Sequence, residues 1–202
     1  MINLEKGQKI ELTKENPTLK KLLVGLGWDV NDNGGAAFDL DAAAIMLDAT
    51  GKVADTKNVI YYGNTTGTGI KHTGDNLTGA GDGDDEQILV DLDTIPSDVE
   101  KIVFTVNIYQ ATSRNQNFGM VKNAFIRVAN NETNEEVCKY DLGEDYSTEK
   151  TVVIAEIYRH NGEWKFGALG NGFSGEFGDL LKTYGVNWIS KFFRNILGAF
   201  LQ

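Results

Sequence analysis

Cysteine is almost missing from this sequence: Cys138 is the only one in 202 residues. A single thiol excludes an intrachain disulfide and a cysteine-built zinc site. Histidine is nearly as scarce. With only His72 and His160, transition-metal chemistry has few ligands to draw on. The opening stretch MINLEKGQKIELTKEN has neither the apolar block of a signal peptide nor a membrane-spanning run. A cytoplasmic protein is therefore expected. Basic side chains are in deficit too, 19 Lys and Arg against 29 Asp and Glu, for a net charge of −10. Phosphate backbones need a basic surface, so a generic nucleic-acid partner is excluded.

What the chain does have is enough length and apolar content (41%) for a core that needs no staples. Most of it reads as strands. KLLVGLGWDV, FDLDAAAIMLD, KNVIYYG, QILVDLDTI, KIVFTVNIYQA, AFIRVAN, EEVCKYDL, KTVVIAEIYRH and EWKFGALG are short, apolar or alternating, and rich in Val, Ile, Tyr and Phe. Gly, Asn, Asp and Thr clusters separate them, and Asn161-Gly162 marks a two-residue hairpin turn. Nine or so strands without helical periods between them predict an all-β fold, a β-sandwich of two antiparallel-rich sheets.

Helical character comes late. FSGEFGDLLKTYG predicts a short helix closed by Gly185. In NWISKFFRNILGAFLQ, the apolar residues Trp188, Ile189, Phe192, Phe193, Ile196, Leu197, Phe200 and Leu201 trace one helical stripe. The expected division is a domain over 1–186 and an amphipathic helical tail over 187–202. That stripe calls for a cover: the sandwich itself, a second copy, or a lipid surface whose anionic headgroups suit Lys191 and Arg194.

The acids are unevenly placed. GDNLTGAGDGDDEQI (74–88) holds Asp75, Asp82, Asp84, Asp85 and Glu86 among four glycines and no basic residue. Two carboxylates about 5 Å apart repel by roughly 3 kcal/mol at an effective dielectric of 20. Either the loop stays open to water or a cation sits within it. A second cluster, GWDVNDNGGAAFDLD, carries Asp29, Asp32, Asp39 and Asp41, the last two spaced to share one face of a strand. Oxygen donors beside glycine-rich loops make a hard cage that suits Ca²⁺, with its tolerant geometry, better than Mg²⁺. The competing reading is a solvated acidic face. Asp29-x-Asn31-x-Asn33-Gly34 begins like an EF-hand loop, but Leu40 stands where the bidentate Glu belongs.

Catalytic readings are weaker. GNTTGTGIKH (63–72) lacks the Gly-Lys-Ser/Thr ending of a phosphate loop and reads as a plain loop, and GFSG (172–175) falls short of a nucleophile elbow. His72 and His160 read as surface or turn histidines. Paired carboxylates serve glycoside chemistry only where an apolar pocket raises one pKa, and these acids lie among glycines and other acids. The polar loop QATSRNQNFG, with Arg114 and Asn115 to Asn117, reads as a functional loop or as a connection whose amides satisfy its own backbone.

GLGWD (25–29), FDLDA (38–42), GDNLTGAGDGDDEQI (74–88), QNFGMVKNAFIRV (116–128) and EIYRHNGEWKF (156–166) occur in the order and spacing of one known family. The chain resembles the bacterial tellurite-resistance TerD proteins over residues 1 to about 186. The resemblance implies a two-sheet sandwich with two neighbouring Ca²⁺ ions in acidic loops at one end, and it establishes no enzymatic activity. It also implies a role in the stress response to tellurite, other toxic agents and phage, alongside membrane-linked partner proteins. Carried over position by position, the implied metal ligands are Asp29, Asp39, Asp41, Asp75, Asn76, Asp84, Asp85 and Glu86, with Asp82 behind them. Two Ca²⁺ ions offset four of the seven acidic charges in that set. Gln110 departs from the pattern, which carries an acid there. The expected function is a Ca²⁺-dependent scaffold near the membrane. The alternative is a small-molecule receptor, of the cyclic-nucleotide kind ascribed to relatives, that uses bound Ca²⁺. The lack of an arginine-centred phosphate pocket counts against it.

Overall fold

Apolar residues at every second position leave two sheets little choice but to close on each other. This computed structural model describes residues 1–29, 37–74, 83–143 and 146–186. Its strands are β1 (Ile2–Leu4), β2 (Lys9–Glu11), β3 (Lys21–Gly27), β4 (Leu40–Leu47), β5 (Val59–Ile60), β6 (Thr66–Gly67), β7 (Ile70–His72), β8 (Glu86–Asp91), β9 (Lys101–Ile108), β10 (Phe125–Asn130), β11 (Glu136–Asp141), β12 (Thr151–His160) and β13 (Glu163–Phe173). Two short helices join them, α1 (Ala111–Arg114) and α2 (Phe177–Thr183). One sheet runs β1-β11-β10-β3-β8-β7-β6 and the other β2-β13-β12-β9-β4-β5. The β1–β11 pairing is parallel, while the strands of the central ladders are antiparallel. The fold is the expected all-β sandwich.

Alternation decides which side chains enter the core. Along β4, Leu40, Ala42, Ala44 and Met46 point between the sheets, and in β8 the inward positions are Glu86, Ile88 and Val90. The odd positions of β4 face outward, yet Ile45 and Leu47 are buried too. Helix α2 covers them: Leu180, Leu181 and Val186 pack with Ile45, Leu47, Val59, Val103 and Val153. The helix ends as expected at Gly185, where the Gly185 and Val186 amides donate to the Lys182 and Leu181 carbonyls. The stretch 187–202, on which the amphipathic-tail reading falls, lies outside the described residues.

The hairpin at 160–163 forms as read. His160 pairs with Glu163, and Asn161 and Gly162 take φ of 54° and 81°, the left-handed pair of a type I′ turn. Two readings differ. KNVIYYG is mostly not strand: Asp55 caps a 3₁₀ turn over Thr56–Asn58, and Asn64 Nδ2 donates to the Val59 carbonyl at 2.7 Å, leaving β5 two residues. GNTTGTGIKH is not plain loop: it supplies β6 and β7, and His72 is buried on the inner face of β7 rather than at the surface.

Candidate metal centre

Strand registers gather the acidic segments at one end of the sandwich. Gly27 at the end of β3 pairs with Phe125 at the start of β10, and Leu26 pairs with Glu86 at the start of β8. In the other sheet Leu40, opening β4, pairs with Ile108, closing β9. A buried link joins the two sheets there: the Ala42 amide donates to Glu86 Oε2 at 2.5 Å. Sequence segments some fifty residues apart thus end side by side.

Glycine makes room at the first position. Gly25 sits in a row across three strands, paired with Arg127 on one side and Gln87 on the other. A Cβ on Gly25 would stand 2.2 Å from the Asp84 carboxyl group. With no side chain there, Asp84 folds back across β3. Arg127 grips it from Nε (2.6 Å) and Nη2 (2.7 Å), and Gln87 Nε2 donates at 3.0 Å. The planar guanidinium matches both carboxylate oxygens. The carboxylate is fully buried, and its role in this geometry is to pin the end of the acidic loop to the sheet.

Asp85 is placed differently. Its amide donates to the Leu26 carbonyl and its Oδ2 accepts from the Trp28 amide at 2.9 Å. Burial pushes its carboxyl above the usual range, and the neighbouring charges of Asp84 and Asp29 push the same way against the Trp28 hydrogen bond. The protein around Asp85 therefore disfavours a bare anion. Asp29 is exposed and is held by Asn123 Nδ2 at 2.7 Å and, through its amide, by the Lys122 carbonyl.

Asp39 and Asp41 flank the inward Leu40. Asn107, directly opposite on β9, donates to Asp41 Oδ2 at 3.1 Å, and Arg114 Nη2 lies 3.3 Å from Asp39 Oδ2. Glu86, between the sheets, meets the imidazole of His72 at 3.3 Å in addition to the Ala42 amide. On its other side the ring is held by Gly74, whose N–H donates to His72 Nδ1 at 3.3 Å.

Of the implied ligands, then, Asp29 and Asp85 stand together near the end of β3, and Asp39 and Asp41 at the start of β4. Asp84 and Glu86 are held by protein donors, while Asp75 and Asn76, like Asp82 and Asp32, lie outside the described residues. Among the described residues no three His, Cys, Asp or Glu side chains gather closely enough to hold a metal ion. The donors on offer are all oxygens, the chemistry of a hard cation. Sequence reasoning missed Arg127 and Asn107, and it named Arg114 without a partner. Only the polar loop around Arg114 carried a signal, and that loop is tied to the site by Gln116 Nε2 donating to the Ala37 carbonyl.

Comparison with known proteins follows the same course along the chain. Residues 1–184 match the TerD domain. General stress protein 16U of Bacillus subtilis is 50% identical over 188 residues, 92% of this chain and 97% of its own. The tellurium resistance protein TerD of Serratia marcescens is 48% identical, over 92% and 98% respectively. Among solved structures, a homologue of telluride resistance protein (TerD) from Streptomyces coelicolor A3(2) superposes with a TM-score of 0.64 at 22% identity, over 79% of this chain and 93% of that one. That likeness speaks for the fold. The chain belongs to the TerD domain family.

Proposed function

We propose that this chain is a non-enzymatic, calcium-binding protein of the stress and tellurium-resistance type, acting as a Ca²⁺-dependent scaffold. The names of its relatives support the stress role: "General stress protein 16U" and "Tellurium resistance protein TerD" each match over nine-tenths of this chain. One observation supports the metal above the others. Asp85 is anchored by backbone, half-buried, and crowded by Asp84 and Asp29, so a cation placed beside it would relieve that crowding and favour its charged form. Ca²⁺ accepts six to eight oxygens in flexible geometry, which suits carboxylates arriving from separate loops. In this reading Asp29, Asp39, Asp41 and Asp85 ligate directly, with Asp75 and Asn76, in two neighbouring sites. Asp84 and Glu86 position them through Arg127 and Ala42.

Action near the membrane through partner proteins completes the proposal. Among the described residues no helix is long and apolar enough to cross a membrane.

Calorimetric Ca²⁺ titration of the full chain and two variants tests this reading. Asp85→Asn keeps the acceptor for Trp28 and removes the charge; at least one site should weaken tenfold or more. Asp55 only caps the Thr56–Asn58 turn, and Asn caps equally well, so Asp55→Asn should titrate like the wild type. Equal titrations for all three proteins would leave nothing but a solvated acidic face.

A further inference from the structure

Arg114 is a cation that the chain itself brings to the acidic end. Its Nη2 lies 3.3 Å from Asp39 Oδ2, and its guanidinium rests 5.3 Å from the centre of the Tyr109 ring. Arg127 offers a contrast. It holds Asp84 through two nitrogens, at 2.6 and 2.7 Å, on a carboxylate wholly closed to water. Arg114 reaches Asp39 through one nitrogen, at the long end of hydrogen bonding, and 28% of its side chain stays in solvent. The first arginine is a clamp. The second is a single contact with somewhere else to go: out to water, or further over the tyrosine face, which attracts a cation.

The mount suits an arm that moves. Helix α1 is four residues long and is bounded by Gln110 and Asn115, both left-handed at φ of 52° and 54°. Gln rarely adopts that backbone, so contacts hold the segment rather than its own preference. Those contacts divide between its two ends. Arg114 ties the last residue to Asp39, just before β4. Thr112 ties the first turn to the start of α2: its N–H and Oγ1 both donate to Glu176 Oε1, at 3.0 and 2.5 Å. Lys150 Nζ donates to the same Thr112 Oγ1 at 2.8 Å. The Glu176 and Lys150 charges offset one another at Thr112, and the Arg114 guanidinium is the charge that α1 presents to Asp39.

We propose that Arg114 is the tethered counter-ion of the metal centre: it occupies Asp39 while no metal is bound, and Ca²⁺ must displace it to bind. The inference rests on the calcium reading of the same carboxylates and adds a built-in competitor to it. A divalent ion on Asp39 would stand beside a guanidinium of like sign, and the two repel most strongly where water is scarce. Ca²⁺ gathers several oxygens at once, whereas Arg114 gives up one contact. The arginine therefore yields. Because binding must also move it, the affinity is set lower than the oxygen donors alone would give.

Arg114→Met keeps an unbranched apolar stem beside Tyr109 and removes the charge. In calorimetric titration of the full chain it should bind Ca²⁺ about three- to tenfold more tightly than wild type, the gain expected when the contact is closed in roughly two thirds to nine tenths of molecules. Lys150→Met removes a charge from the same region without touching Asp39, and at 0.15 M salt it should stay within about twofold of wild type. Thermal melts give a second readout. In chelator Arg114→Met should melt below wild type, and in saturating Ca²⁺ the two should coincide, because there the wild type has already lost the contact. An arginine that merely supports the fold would lower both midpoints alike, and that result overturns the proposal. So does unchanged or weaker Ca²⁺ binding in Arg114→Met, or an equal gain in Lys150→Met; each leaves the calcium reading standing. Failure of the wild type to bind Ca²⁺ overturns both.

Discussion

At the scale of single residues, the acidic end works by giving neighbouring carboxylates opposite environments. Asp84 is buried and paired, whereas Asp85 is half-buried and crowded. Removing the partner of a buried ion is costly because the remaining charge is left uncompensated. Arg127→Leu should destabilise the protein by about 3 kcal/mol, toward the low end for such pairs because the guanidinium is 23% exposed. Urea unfolding of the single variants and of Arg127→Leu/Asp84→Asn tests this. The double variant should recover part of the loss, and strict additivity would mean that the pair carries no coupling.

Asp85 has the opposite sign. Its folded pKa is raised, so its contribution is fully present below the ordinary value of 3.8 and is lost as pH rises through the folded value. Without Ca²⁺, Asp85→Asn should therefore be neutral or stabilising at pH 7, and the advantage should vanish on acidification. Thermal melts in chelator at pH 7 and at pH 4 would reveal it. A variant clearly less stable than wild type at pH 7 would contradict the sign.

Cys138 is the third case, and the simplest. Burial pushes its thiol up to about 12. The thiolate is the reactive form, so at pH 8 only about one molecule in ten thousand carries it. Native protein should resist a disulfide-exchange reagent for as long as it stays folded, and labelling should track the urea transition. Prompt labelling in buffer would show that β11 opens locally.

At the scale of elements, legibility followed length and period. β3, β4, β8, β9, β10, β11, β12 and β13 were readable because each sets at least six residues into one face-to-face pattern. β1, β2, β6 and β7 were not, since two or three residues carry no period. KNVIYYG misled because side-chain bonds from Asp55 and Asn64 favour turns over further pairing. The acidic segments were legible as a candidate cluster, but which of their carboxylates protein donors hold was not. That Asp84 is clamped depends on Gly25 and Arg127, which lie beside it only through strand register. Gly25→Ala puts this to the test. Its methyl group would meet the Asp84 carboxyl at 2.2 Å, forcing the loop end off the sheet. A lower melting midpoint together with weaker Ca²⁺ binding is expected. A variant that binds Ca²⁺ normally would show that the loop end needs no such anchor.

At the scale of the whole molecule, a net charge of −10 makes any cation stabilising to some degree, because screening relieves self-repulsion. A site must be told apart from that background. Screening depends on ionic strength: at 0.15 M salt the Debye length is already about 8 Å, so a further millimolar of divalent ion adds little to it. A site obeys mass action instead. If Ca²⁺ binds only the folded arrangement, an excess of about a hundredfold over the dissociation constant adds roughly 2.7 kcal/mol per site. Melts in 0.15 M salt with chelator, millimolar Mg²⁺ or millimolar Ca²⁺ should therefore separate. Mg²⁺ demands an octahedron and holds its waters, so its midpoint should stay near that of the chelated protein while Ca²⁺ raises it. Coincident midpoints in all three conditions would reduce the acidic end to a solvated surface.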